Sequence, residues 1–174
     1  THFEITEKNT FELLELLKNA MLDLVFIRTP FEMSSHFTYI KLEEDYLVAV
    51  GAASFFDTGK DDTISLHDLR DKPMITVRRW KSFIDLAAGT DENTHLDYHF
   101  ICDDNRTALS LAANEMGVAI LPGCIMDNYL QESLVLKELR SNEEINIYIV
   151  FPSEEEAEPA VRKFISHVIS SFDL

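Results

Sequence analysis

Apolar residues along this chain come in two kinds of run. One kind is short and nearly unbroken: Leu22 to Ile27, Tyr46 to Val50, Met74 to Val77, Val118 to Leu121 and Asn146 to Phe151. Such runs predict strands buried on both faces. Phe37 to Leu42 alternates instead, Phe3-Glu4-Ile5 is a shorter strand candidate, and Leu134 to Leu139 reads as a further strand. The other kind recurs at three- and four-residue spacing, as one face of a helix does. Phe11, Leu13, Leu14, Leu16, Leu17 and Ala20 form one such face, behind Asn9 with Glu12 placed for a capping box. Ala108, Leu111, Ala112 and Met116 form a narrow second face; Val161, Phe164, Ile165, Val168, Ile169 and Phe172 form a third, entered through Pro159. Shorter helical stretches are expected from Ser65 to near Arg70, from Phe83 to Ala88 and from Ile125 to Gln131.

Strands alternating with helices predict an α/β fold with mostly parallel sheets. Phe3 to Ile5, the first helix and Leu22 to Ile27 make one βαβ step, whose crossover should be right-handed. Cys102 to Pro122 makes another. There Asp103 or Asp104 accepts from the free N–H groups of the first helical turn, Gly117 takes the left-handed conformation that ends the helix, and Pro122 stops the strand. Ser54 to Thr63, Gly89 to Asp97 and Glu154 to Glu158 read as polar connections.

That second step, closing on Met116-Gly117-Val118-Ala119-Ile120-Leu121-Pro122, resembles the effector-binding domain of LysR-type bacterial transcription regulators. Leu22-Asp23-Leu24-Val25-Phe26-Ile27-Arg28, Leu47-Val48-Ala49-Val50-Gly51 and Leu69-Arg70-Asp71-Lys72-Pro73-Met74-Ile75 follow in the order that family shows, so the resemblance covers nearly the whole chain. It implies a two-lobed periplasmic-binding-protein-like fold, each lobe a three-layer αβα sandwich, joined by two crossing strands near Val48 to Gly51 and Ile147 to Phe151. Lobe I would hold residues 1–49 and 148–174, and lobe II residues 50–147. A small-molecule effector, an organic anion, would bind in the interlobe cleft and control DNA binding and transcription by the full-length protein. Such control requires an affinity that differs between two arrangements of the lobes.

Composition changes this picture in one respect. With 31 acidic against 15 basic residues the formal net charge is −16, and an acidic surface repels phosphate backbones. DNA contact is therefore expected only through the family's N-terminal winged helix-turn-helix, which this sequence lacks. Family dimers imply a homo-oligomer for the full-length protein. The two cysteines, Cys102 and Cys124, lie in or beside apolar strands and read as reduced thiols of a cytoplasmic protein. No run is long enough to span a membrane, and the N-terminus lacks the apolar core of a signal peptide.

Candidate chemistry sits at strand ends, where open α/β sheets place their ligands. Arg28, Thr29 and Pro30 leave the strand that ends at Ile27; Arg28 either pairs with a surface carboxylate or holds an anion by a two-pronged contact. Thr76, Val77 and Arg78 occupy the matching place in the other lobe, before a helix whose first N–H groups favour an anion. Arg79 is the weaker candidate beside them. By family position Phe83 is a further effector contact, whereas Trp80 reads as core. No catalytic set is found: the serines lack a nucleophile elbow, and Asp103 and Asp104 are explained by capping and solvent. His95 and His99 lack a third metal ligand, and no glycine-rich phosphate loop occurs, so no metal or cofactor is expected. A transporter's solute-binding protein and a small-acid dehydratase share the two-lobed architecture and are the competing classes.

One departure from the family bears on the fold. Its effector domain opens with a further strand and helix before the segment matching Phe3 to Ile5, and that strand lies within the first lobe's sheet. Either another segment or chain fills the place, or the lobes are built unusually, because buried unpaired backbone groups cost free energy.

Overall fold

The computed structural model of the chain describes residues 2–57, 61–87, 96–128, 134–140, 145–153 and 157–172, with the backbone alone at 86, 87, 127 and 128. The expectations for Ala88, the connection from Gly89, His95, the helical stretch beyond Asn128, Ser133 and the acidic turn from Glu154 to Glu156 fall outside these residues. In chain order the helices and strands are α1 (Thr10–Lys18), β1 (Val25–Arg28), β2 (Phe37–Asp45), β3 (Leu47–Gly51), β4 (Thr63–Ser65), β5 (Met74–Val77) and α2 (Arg78–Ala87). They continue with β6 (Tyr98–Cys102), α3 (Asn105–Ala113), β7 (Val118–Pro122), β8 (Val135–Arg140), β9 (Ile145–Pro152) and α4 (Pro159–Ser171). Short 3₁₀ segments occupy Ala53–Phe55, Leu66–Leu69 and Gly123–Asn128.

The chain divides into two units, residues 1–44 with 145–174 and residues 45–144. These divisions lie a few residues before the boundaries expected at 49/50 and 147/148, because β3 pairs along its length with β7 and β8 of the second unit.

The first unit has a three-stranded sheet in the order β1-β9-β2. Strand alternation gives each face its own core. On one face Leu13 and Leu17 of α1 pack with Val25, Ile27 and Val150; on the other, Ile165 of α4 packs with Leu42, Ile149 and Phe151. The Asn9 side chain accepts from the Glu12 N–H at 3.0 Å, completing the expected capping box of α1. Phe3 to Ile5 forms no strand: residues 2–9 have no ladder partner, Ile5 is 86% exposed, and Phe3 meets only the edge of α4 through Phe164, with ring centroids 5.4 Å apart. Three alternating residues bury too little to order a strand without a neighbour. The βαβ step expected there is accordingly absent, β1 runs antiparallel to β9, and no described segment adds a strand beyond β1.

The second unit is a six-stranded sheet in the order β4-β8-β3-β7-β5-β6. Neighbours β4/β8, β5/β6 and β5/β7 are parallel, while β3 runs antiparallel to β7 and β8. The sheets are thus mixed rather than mostly parallel, since β3 enters against the direction of the βα repeats. Ala108, Leu109 and Ala112 of α3 are buried against Val48, Val50, Ile75, Val77, Ala119 and Leu121; the two alanines let the helix approach closely. Met116, expected on that face, lies beyond the helix and is 45% exposed.

Both α1 and α3 end in Schellman turns, and neither uses glycine. Met21 N–H donates to Leu16 and Ala20 N–H to Leu17, while Met116 N–H donates to Leu111 and Glu115 N–H to Ala112. The left-handed residues are Ala20 (φ 52°) and Glu115 (φ 56°). Gly117 is therefore not the terminator of α3. Its backbone passes under the Pro73 carbonyl, where any Cβ would overlap the oxygen, and the Val118 N–H donates to that same oxygen at 2.8 Å. A second close pass joins the start of β3 to the end of β7: a Cβ on Gly123 would lie 2.5 Å from the Tyr46 ring. The buried Asp45 carboxylate holds the same place, accepting from the Tyr46 N–H at 2.9 Å and the Cys124 N–H at 3.0 Å.

Glu115→Gly is expected to raise the stability to urea by ~1 kcal/mol, the cost of a Cβ in the left-handed region. Gly117→Ala is expected to lower it by roughly 1–3 kcal/mol through overpacking against Pro73. Equal midpoints for all three proteins would contradict this account of the turn.

Candidate functional site

The carboxyl ends of β1 and β5 carry the residues singled out from the sequence. In the first unit the register pairs Arg28 with Ile147, on the face that packs with α4. Thr29 follows on the opposite face. Its N–H donates to the Asn146 carbonyl at 3.1 Å, and its hydroxyl oxygen accepts from the Asn146 N–H at 3.0 Å. The Thr29-Pro30 peptide is cis. Phe31 then folds onto the sheet, stacking on Tyr39 at 5.7 Å and meeting the Tyr148 ring edge-on at 5.5 Å. The Tyr39 hydroxyl accepts from the Ser34 N–H at 2.9 Å, which closes the loop, and the Thr10 hydroxyl at the start of α1 donates to the Arg28 carbonyl at 3.2 Å. Thr29, Asn146 and an aromatic trio thus share one end of one sheet face, while Arg28 turns to the other.

In the second unit β5 passes directly into α2, so Arg78 is the first helical residue rather than part of a loop. The helix begins five residues before its expected start at Phe83; behind a basic first turn, Trp80, Phe83 and Ile84 stand at helical spacing, with Ile84 fully buried. Thr76 and Val77 are also fully buried. The Thr76 hydroxyl lies 3.5 Å from the Val77 carbonyl, at the limit of a hydrogen bond, and Val77 packs in the α3 core. Phe83 is half-buried on α2. Arg78 extends along the strand ends, its Nε donating to Asp103 at 2.8 Å with side chains 67% and 81% exposed. A pair so exposed contributes only ~0–1 kcal/mol. Trp80 Nε1 donates to Asn105 at 3.3 Å, a second tie between α2 and α3, and the Arg79 guanidinium lies 5.1 Å from the Trp80 ring centroid.

Asp104 is the helix cap, accepting from the Thr107 N–H at 2.9 Å and from its hydroxyl at 2.7 Å; these bonds hold its carboxyl below the ordinary aspartate range. Asp103, read from the sequence as either the cap or a solvent-facing residue, is the partner of Arg78. Burial, with Asp104 and Asp103 adding to it, pushes the Cys102 thiol up; Cys124 is half-buried, and neither cysteine forms a disulfide among the described residues. On α2 the Lys81 ammonium and the Tyr98 hydroxyl each reach Asp85 at 2.6 Å, and burial, then Asp85, raises the Tyr98 pKa. Among the described residues no three His, Cys, Asp or Glu side chains gather as a metal site, and no helix is long and apolar enough to cross a membrane.

Asn146, Asp103 and the trio Phe31, Tyr39 and Tyr148 stand at these strand ends without being singled out by the pattern of the sequence. Asn146 alone leaves a trace there, as the one amide in an apolar strand; the others meet across the sheet.

The sequence matches the family described as the LysR substrate binding domain over residues 1–173. Comparison with curated proteins gives no match. Among solved structures it resembles a full-length BenM variant (TM-score 0.77, 19% identity), with 98% of this chain and 57% of that one covered. It resembles the effector-binding domain of QuiR in complex with shikimate (TM-score 0.75, 18% identity), with 95% and 79% covered. It also resembles full-length CbnR complexed with its target DNA (TM-score 0.72, 18% identity), with 97% and 59% covered. The chain therefore spans under two thirds of the full-length regulators it resembles.

Because Asp104 has a depressed pKa in the fold, its stabilising effect is complete above the ordinary aspartate value and is lost as pH falls through the folded one. Thermal melts should show Asp104→Ala melting below wild type at pH 7, with the gap narrowing below about pH 4. A gap unchanged at pH 2 would remove the ionised cap from the account.

Proposed function

The chain belongs to the LysR substrate binding domain family, and on that premise we propose that it is the effector-binding domain of a transcription regulator. A small organic anion is its ligand, and a longer protein that carries the DNA-binding segment is its context. Arg28, Thr29 and Pro30 at the end of β1, with Thr76, Val77, Arg78 and Phe83 at and after the end of β5, are the residues proposed to hold it. The observation that carries this reading is the placement of an arginine at the carboxyl end of a strand in each unit of a chain whose net charge is −16. Guanidinium groups so placed recognise carboxylates, and the N-terminus of α2 adds its N–H groups beside Arg78. Asp103 is displaced from Arg78 at little cost, since the pair is exposed.

Control then follows from differential affinity: the anion favours whichever arrangement of the two units it binds better, and the longer protein transmits that preference. QuiR bound to shikimate and CbnR bound to its target DNA are solved relatives of this kind. They support a regulator over a transporter's solute-binding protein. The acidic domain leaves DNA to the segment outside this sequence, and the regulator works in the cytoplasm as a homo-oligomer. The family is one of regulators, and no catalytic step is proposed.

Thermal shift and calorimetry with a panel of small carboxylates test the reading. A ligand at a hundredfold excess over its Kd is expected to stabilise the domain by ~2.7 kcal/mol. Arg28→Ala and Arg78→Ala should each weaken that ligand by about tenfold or more, the loss of one charge-assisted contact. If no carboxylate shifts the melt and neither substitution alters any binding, the anion reading fails.

A further inference from the structure

Asn146 is the second residue of β9, a strand otherwise made of Ile145, Ile147, Tyr148, Ile149, Val150, Phe151 and Pro152. Its contribution to the sheet comes entirely from the backbone, through the two bonds to Thr29. A β-branched apolar residue would supply those bonds equally well and would suit the strand better. The side-chain oxygen is nevertheless buried, and among the described residues it meets no donor. The other asparagines with described side chains behave differently. Asn9 caps α1, Asn19 and Asn114 bond to carbonyls of the preceding turn, and Asn105 accepts from Trp80. A buried amide with an unmade bond is costly in the free domain, and a bound group that completes it recovers that cost.

Alternation along β9 puts Asn146 on the same face as Tyr148 and Val150, the face where Phe31 and Tyr39 pack. Its amide thus lies beside Thr29 and the aromatic trio, at the carboxyl end of β1. With no donor on its oxygen among the described residues, rotation about the last torsion of the side chain can present either end of the amide outward. The complementary group is one that serves either end, and a hydroxyl both donates and accepts.

We propose that Asn146 is a specificity-determining residue that reads a hydroxyl on the effector, so that the ligand class is a hydroxylated carboxylate rather than a plain one. This rests on the anion-binding reading above and adds to it a requirement on a second part of the ligand. An analogue that lacks the hydroxyl forgoes this gain, because the orphaned oxygen then stays orphaned under a bound ligand as it is in the free domain.

Calorimetry with paired probes tests this: propionate against lactate, succinate against malate, and benzoate against 3-hydroxybenzoate. In at least one pair the hydroxylated member should bind about tenfold tighter to the wild-type chain. Asn146→Ala and the near-isosteric Asn146→Leu should each bring the two members of that pair to within about twofold, while the plain carboxylate binds as before; two substitutions guard against one that misfolds. Equal affinities within every pair for the wild type, or a preference that survives both substitutions, would overturn the assignment of Asn146. No binding by any probe would instead overturn the anion reading, and this inference with it.

Discussion

The hydrogen bond from the Val118 N–H to the Pro73 carbonyl, at 2.8 Å, is the contact on which the second unit depends. It sets β7 beside β5 before either strand has properly begun, and it forms only because Gly117 has no side chain to meet the same oxygen. From that start the parallel register runs on through Met74 with Val118 and Ile75 with Ala119. The two alanines of α3 then settle on β3, β5 and β7. One strand further out, Val77 stands beside Cys102. That alignment brings the residue after each strand, Arg78 and then Asp103, to a single ion pair. The Arg78–Asp103 pair at one end of the unit is thus the far consequence of a missing Cβ at the other.

Charge shapes how this end works. In so acidic a chain several of the described cations sit beside a carboxylate: Arg78 has Asp103, Lys81 has Asp85, Arg140 has Asp61 and Lys41 has Glu44. Exposed pairs of this kind are nearly neutral in energy, so they hold an arginine in place without immobilising it. The first unit is organised on another principle. At its strand end Arg28 lies on one sheet face, while a hydroxyl, an amide and three aromatic rings gather on the other.

Much of this is legible in the sequence, and the parts that are not share a cause. Unbroken apolar runs locate β3, β5, β7 and β9, and three- and four-residue spacing locates α1, α3 and α4, because burial of a continuous face leaves a period. Pro159 and the Asn9–Glu12 box mark helix starts through local bonds that a sequence can display. Phe3 to Ile5 carries the right alternation and still forms no strand, since a strand needs a neighbour and its own alternation supplies none. The helix start at Arg78 is obscured by its basic first turn, although Trp80, Phe83 and Ile84 stand at helical spacing. Gly117 serves a different end from the one expected of it. That a glycine follows a helix is plain from the sequence, whereas Pro73 overhead becomes visible only in the fold. Antiparallel entry of β3, the Asp103 partner of Arg78 and the Phe31–Tyr39–Tyr148 cluster all depend on residues distant in the chain, where periodicity is silent.

The close pass of Tyr46 over Gly123 reaches beyond packing. The ring occupies the space into which any side chain at 123 would grow, so the freedom of one site to vary is conditional on the other. A side chain at 123 is admitted only if the half-exposed Tyr46 ring swings aside or gives way to something smaller, so substitutions at these two places are coupled.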